Sequence, residues 1–300
     1  VASMFSDVGG SKDMGGQAMT KLVALVDGSI YAQSVCEHTA WAAGRTGAAV
    51  DILHVLGRRE SGGTRNLSGS ISLGARTALL EELSALDEQR AKLAQARGRA
   101  ILDDAREIVE AAGVTVATKL RIGDIVETVA ESEADADMVI IGKRGEAADF
   151  AKAHLGSNLE RIVRSSAKPV LVASRAFAPI ERVLIAYDGG VSSMKAVDHI
   201  ARSPLFAGLE CRLLMVGHDT SITQRQIGNA RAVLEGAGYR VKAEIVSGQP
   251  DTVIADVVRD ETIGLLVMGA YGHSRIRSLV IGSTTTEMVR SCKVPVLLFR

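Results

Sequence analysis

The sequence predicts an α/β protein made from one domain used twice, each copy an open five-stranded parallel sheet with helices on both faces. Three observations carry this. Short apolar runs alternate with helical stretches, the pattern of parallel strands joined by right-handed crossovers. The order of those runs in the first half recurs in the second. The 300 residues, 47% of them hydrophobic, are enough for two cores of ordinary size.

Taken in order, Val1 to Ala18 is rich in Gly, Ser and Asp and has neither the basic start nor the apolar centre of a signal peptide. It reads as a disordered extension, residues 1–18, with Met19 a candidate native start. Lys21-Leu-Val-Ala-Leu-Val-Asp27-Gly28-Ser29 pairs with Arg182-Val-Leu-Ile-Ala-Tyr-Asp188-Gly189-Gly190. Both read as a buried strand ending in a tight turn. Ala136 to Gly142 pairs in the same way with Ile263 to Gly269, and Lys168 to Ser174 with Lys293 to Phe299.

The remaining strands are Val50 to Leu56 and Val114 to Leu120, then Glu210 to Val216 and Tyr239 to Val246. Helices are expected near 31–45 and 191–202, 123–133 and 250–260, and 156–166 and 282–291. The stretch from Arg175 to Ile180 contains Pro179 and joins the halves, giving domains at 19–175 and 181–300.

One region breaks the repeat. Ser72 to Ala112 is rich in Ala, Leu, Glu and Arg, while its counterpart, Thr220 to Ala237, is far shorter. Leu79, Leu83, Leu86, Leu93, Ile101, Ala105, Ile108 and Ala112 fall at helical spacing, interrupted by Gly98. A long helix or a helical hairpin follows, packed on the sheet or the sister domain, or offered to a partner. The polar, Gly-rich stretch from Gly57 to Gly74 before it reads as mobile.

Composition narrows the functional classes. Lys plus Arg equals Asp plus Glu at 35 each, so no net field favours nucleic acid or an acidic membrane. No apolar run has the roughly 20 residues of a membrane-spanning helix. Cys36, Cys211 and Cys292 are odd in number and widely spaced, which suits a reducing cytoplasm rather than a disulfide framework. His38, His54, His154, His199 and His218 show no metal spacing.

An open parallel sheet binds ligands beyond the carboxyl ends of its strands, where the strand order reverses. There the second half carries Gly269-Ala-Tyr-Gly272, nine residues, then Gly282-Ser283-Thr284 opening a helix. Glycines let the backbone approach phosphate, Ser and Thr add hydroxyls, and a helix start offers free N–H groups. Each helix-terminus contact with an anion is worth about 0.3 to 1 kcal/mol, so several can hold a phosphate chain without a lysine. The first half has Gly142-Lys143-Arg144-Gly145, ten residues, then Gly156-Ser157-Asn158. Its spacing is one residue longer, and Lys143 and Arg144 either compensate with phosphate contacts or are solvated. His273 either faces a phosphate or lies on the surface.

These motifs resemble the universal stress protein family, in tandem form, over residues 20–174 and 181–300. The resemblance implies a 3-2-1-4-5 strand order in each half and an adenine nucleotide, ATP or AMP, held between the first-strand loop and the glycine loop. Mg2+ would be able to accompany ATP. Carried over by position, it assigns Asp27 and Asp188 to the adenosine and the backbone of Val55 and Val216 to adenine. Gly142, Gly145, Gly156, Ser157 and Asn158 match the loop of the first half. Gly269, Gly272, Gly282, Ser283 and Thr284 match that of the second. It also implies that the last strands of the two halves meet edge to edge, so that one chain mimics a dimer.

Alternatives stay open. Asp27 and Asp188 could simply shape the turn, as Asp-Gly often does. Tyr187-Asp-Gly-Gly-Val-Ser-Ser193 departs at two positions from the Ser-Gly-Gly-x-Asp-Ser loop of adenylating pyrophosphatase-type enzymes. A flavin-binding electron-transfer subunit shares the general fold. No general base, paired carboxylates or metal cluster is placed for efficient hydrolysis, so a regulatory binding module is expected, with slow ATP hydrolysis at most. The rival is a stress scaffold or interaction module that works without nucleotide.

Overall fold

The computed structural model describes residues 20–57, 73–145, 157–270 and 282–300. In the first repeat, β1 (Lys21–Leu25), α1 (Ala32–Thr46), β2 (Ala49–Leu56), α2 (Leu73–Glu110) and β3 (Val116–Ile122) come first. Then follow α3 (Ile125–Ser132), β4 (Met138–Gly142), α4 (Ser157–Ser165) and β5 (Val170–Ala173). The second repeat has β6 (Arg182–Ala186), α5 (Val191–Arg202), β7 (Glu210–Val216), α6 (Ser221–Gly236) and β8 (Val241–Val246). It closes with α7 (Pro250–Asp260), β9 (Leu265–Gly269), α8 (Ser283–Ser291) and β10 (Val296–Phe299).

The strands form a single ten-stranded sheet in the order β3-β2-β1-β4-β5-β10-β9-β6-β7-β8. Each half is therefore ordered 3-2-1-4-5, and the halves mirror one another about the β5–β10 seam. Pairing is parallel within each half and antiparallel at the seam, where Leu297 lies opposite Leu171. Each strand lies within its apolar run except β3, offset by two residues, and β2, which starts one residue earlier; β4, β8 and β9 begin two residues late, β10 three, and β5 is shorter at both ends.

Side chains alternate across the strands with period two, and the two faces make two cores. Leu22, Ala24, Val183 and Ile185 join the core under α1, α2, α5 and α6. Val23, Leu25, Leu184 and Leu266 join the core under α3, α4, α7 and α8. Both cores run through both repeats. A buried Leu or Ile contributes about 1.5–3 kcal/mol relative to exposure, so the seam is held by hydrophobic packing as well as by strand pairing.

Residues 174–181 carry no helix or strand, but Phe177 meets His38 edge to face at 5.0 Å and Ile180 is buried. Arg45 of α1 donates to Leu205 O at 2.6 Å and to Ala207 O, tying α1 to the turn after α5.

The inserted region is one helix of 38 residues and not a hairpin. Gly98 leaves it unbroken and serves packing: a Cβ there would sit 2.8 Å from Leu120 Cδ1 and 2.9 Å from the His54 ring. Beyond that crossing Leu102, Ala105 and Val109 are buried, with Ile101 and Ile108 packed beside them. Before it the burial is looser. Leu86 is 45% and Leu93 70% exposed.

Candidate functional site

β1 lies between β2 and β4, so the loops leaving β1 and β4 diverge to opposite faces and open a crevice at their carboxyl ends. In the first repeat that crevice is a cavity of about 1100 Å³. Asp27, Val55, Gly142, Gly145 and Asn158, which come from four separate stretches of sequence, all line it. Ser157 opens α4 beside them, and Gly156 lies outside the described residues.

Asp27 does two things. Its Oδ1 accepts from the Ser29 N–H at 3.0 Å, which shapes the turn into α1. Its Oδ2 faces the loop after β4, where a Cβ on Gly145 would come to 3.0 Å. Glycine at 145 is what lets that loop close on the carboxylate. Gly142 is equally confined, since a Cβ there would stand 2.8 Å from Tyr31 Cβ.

The two cations of this loop go separate ways. Arg144 lines the cavity. Lys143 is neither a phosphate contact nor a solvated charge: it is buried, and its ammonium donates to Cys292 O of the second repeat. Burial lowers its pKa. Because β5 and β10 are paired, the residue that follows β4 is carried against the end of α8, which spacing along the chain does not reveal.

Several groups at the cavity were missed by the sequence reading. Arg97 comes from α2, whose counterpart in the second repeat, α6, is far shorter. Asp124 caps α3, accepting from Val126 N at 2.9 Å and Glu127 N at 3.3 Å, and pairs with Arg161 of α4 at 2.7 Å. Arg161 holds the Asp124 carboxyl below its usual range. Gly123-Asp124 before an apolar helix was a legible capping signal; the approach of Arg97 and Arg161 was not. His54, also at the cavity, places Nδ1 2.8 Å from Val26 O.

In the second repeat Asp188 Oδ1 accepts from Gly190 N at 2.9 Å and from Ser193 Oγ at 2.6 Å. Gly189 takes φ +75°, a conformation costly for any residue with a side chain. The base of the glycine loop is closed on itself: Gly282 N donates to Ala270 O at 3.1 Å and Thr285 Oγ1 to Gly269 O at 3.0 Å. Gly269 packs on the start of α5, where a Cβ would come within 3.0 Å of Ser192 Cβ. Ser283 and Thr284 form the first turn of α8, and Val216 ends β7, half-buried. Gly272 and His273 lie outside the described residues.

The universal stress protein family model matches residues 19–174 and 179–300. The chain belongs to the universal stress protein family. Universal stress protein Slr1230 of Synechocystis sp. is 39% identical over 287 residues, 94% of this chain and 100% of that protein. A universal stress protein of Archaeoglobus fulgidus DSM 4304 covers 93% of this chain and 98% of its own at 22% identity, with TM-score 0.68, a likeness of fold. A universal stress protein in complex with cAMP covers 41% of this chain and 98% of its own at 22% identity, TM-score 0.36. Among the described residues no helix is long and apolar enough to cross a membrane, and no three His, Cys, Asp or Glu side chains are grouped to hold a metal ion.

Proposed function

We propose that the protein is a regulatory, stress-survival universal stress protein that binds an adenine nucleotide, ATP or AMP, at the switch-point crevice of its repeats. The observation that carries this reading is the meeting of Asp27 with the Gly142–Gly145 loop across a cavity of about 1100 Å³, ample for a nucleotide. Adenosine would lie between Asp27 and the backbone of Val55. Its phosphates would meet the start of α4, with Ser157 and Asn158 as donors and Arg144 adding charge. The second repeat would use Asp188, Val216, Gly269, Gly272, Gly282, Ser283 and Thr284 in the same way. Mg2+ keeps most of its water and needs few protein ligands, so it would travel with ATP.

The protein is a binding module first, with hydrolysis slow at most. Occupancy would act on domain packing or partner choice. The cytoplasm suits Cys36, Cys211 and Cys292, all free and buried, the first and second with thiols pushed up to about 12 by burial.

A second reading, a scaffold that works without nucleotide, draws on the use of Asp27 and Asp188 as turn-shaping groups. Equilibrium binding of ATP and AMP to the full chain, compared with Gly145→Val and Gly272→Val variants whose folding is checked by circular dichroism, separates the two. Binding by the parent is expected, with one site weakened in each variant. No binding by the parent overturns the nucleotide reading. A stoichiometry near one would assign the site to a single repeat.

A further inference from the structure

The two repeats differ most in the helix that follows their second strand, and in the first repeat that helix walls the crevice. Ala94, Arg97 and Ile101 of α2, on one face of the helix by their spacing, line the cavity together with Asp27 and Val55. Arg97 is solvent-exposed there. Its place is fixed by the next residue. Gly98 is buried, and a Cβ on it would stand 2.8 Å from Leu120 Cδ1 on β3 and 2.9 Å from the His54 ring on β2, so the helix rests directly on those two strands.

Strand order then says which part of a bound nucleotide Arg97 meets. β3, β2, β1 and β4 lie side by side in that order. Neighbouring strands are about 4.8 Å apart, so the crossing of α2 over β2 and β3 lies roughly 12 Å from β4 and the glycine loop that follows it. Val55, next after His54, is the adenine position of the proposed site. Arg97 therefore stands at the base end of the crevice and not at the phosphate end. A guanidinium is a flat cation whose N–H bonds lie in its plane, which leaves its faces to stack on an aromatic ring whatever its edges bond.

The second repeat has a different residue at this place. Both helices are followed by a glycine with positive φ, Gly113 at +77° and Gly238 at +88°, and each glycine precedes its strand, β3 or β8, by three residues. The same number of residues before these glycines stand Arg97 and Ile222. Because α6 starts at Ser221, Ile222 belongs to its first turn, and it is 59% exposed. Granted the nucleotide reading on which this inference rests, we propose that Arg97 is a specificity-determining residue of the first site. It lays its guanidinium on the face of the purine ring, so that the first repeat holds the nucleoside part of its ligand more tightly than the second, where Ile222 takes that place. A contact between cation and ring acts on adenosine as much as on ATP.

Equilibrium titration of the full chain with adenosine, AMP and ATP tests this, in a Gly272→Val background that leaves the first site to be read alone. Arg97→Ala should weaken all three ligands by a similar factor, about tenfold. Arg97→Lys, which keeps the charge and loses the plane, should recover only part of that. Arg97 is exposed, so the substitutions spare both cores, and circular dichroism and melting should match the parent. In the complementary Gly145→Val background, Ile222→Arg should tighten adenosine binding at the second site severalfold. A loss confined to AMP and ATP overturns the base placement and gives Arg97 to the phosphates. Affinities unchanged in Arg97→Ala overturn the proposal and leave the nucleotide reading intact, and an unchanged second site in Ile222→Arg overturns the difference drawn between the repeats. No binding of any of the three ligands by the parent overturns both.

Discussion

His38 and His199 occupy equivalent places in the two repeats, on α1 and α5, and each has a buried Nε2 with no hydrogen-bond partner among the described residues. His199 packs against Phe206 and Phe299, and burial drops its pKa to about 4. His38 is lowered too, by burial, although its bond to Ser34 O works the other way. The unfolded chain takes up a proton near the ordinary value of about 6.5, while the folded chain resists. The stability from keeping these rings neutral is thus complete above that value and is lost as pH falls through 6 toward 4. For His199 the shift corresponds to roughly 3 kcal/mol. Urea midpoints between pH 7 and 4 should fall less steeply in His199→Phe than in the parent; equal slopes would assign the acid sensitivity elsewhere.

Among the elements, α6 has the most complete start. Thr220 caps it, with its hydroxyl accepting from Thr223 N at 3.2 Å while Thr223 Oγ1 accepts from Thr220 N at 2.9 Å. Thr220→Ala should cost about 1 kcal/mol in denaturant unfolding, and Thr220→Ser close to nothing. Equal losses would show that the methyl group rather than the cap matters. The elements were the most legible part of this protein, because strands buried on both faces leave continuous apolar runs and the repeat reports each of them twice. The ends were less legible: β3 begins two residues later than its apolar run, where register with β2 rather than hydrophobicity sets the limit. For α2, the spacing of Leu86 and Leu93 identified a helix but not the side that would be buried. A leucine at helical spacing looks the same whether a sheet lies beneath it or not.

At the scale of the whole molecule the β5–β10 seam makes one sheet and two shared cores. Leu297 is fully buried opposite Leu171. Leu297→Ala should cost about 2–5 kcal/mol. It should also lower the stability of both repeats together. Calorimetry is expected to show one transition moving as a unit, and two well-separated transitions in the parent would contradict a shared core. Lys143 follows from the same arrangement. Its sequence neighbours suggested an anion site, and the seam places it against Cys292 O of the other repeat.

From sequence alone came the repeat, the strands and most helices, which depend on local periodicity, while the family resemblance carried by the loop motifs named Asp27, Val55, Gly142, Gly145 and Asn158, which line the first-repeat crevice. Tertiary structure alone decided that Asp27 Oδ2 faces Gly145, that Arg97 and Arg161 reach the same cavity, that Lys143 is withdrawn from it, and that Leu86 and Leu93 of α2 stay exposed. Each of those is a contact, or a missing one, between segments far apart in the chain. Such distances are set by how the sheet is ordered and how its halves join, and no spacing along the sequence encodes them.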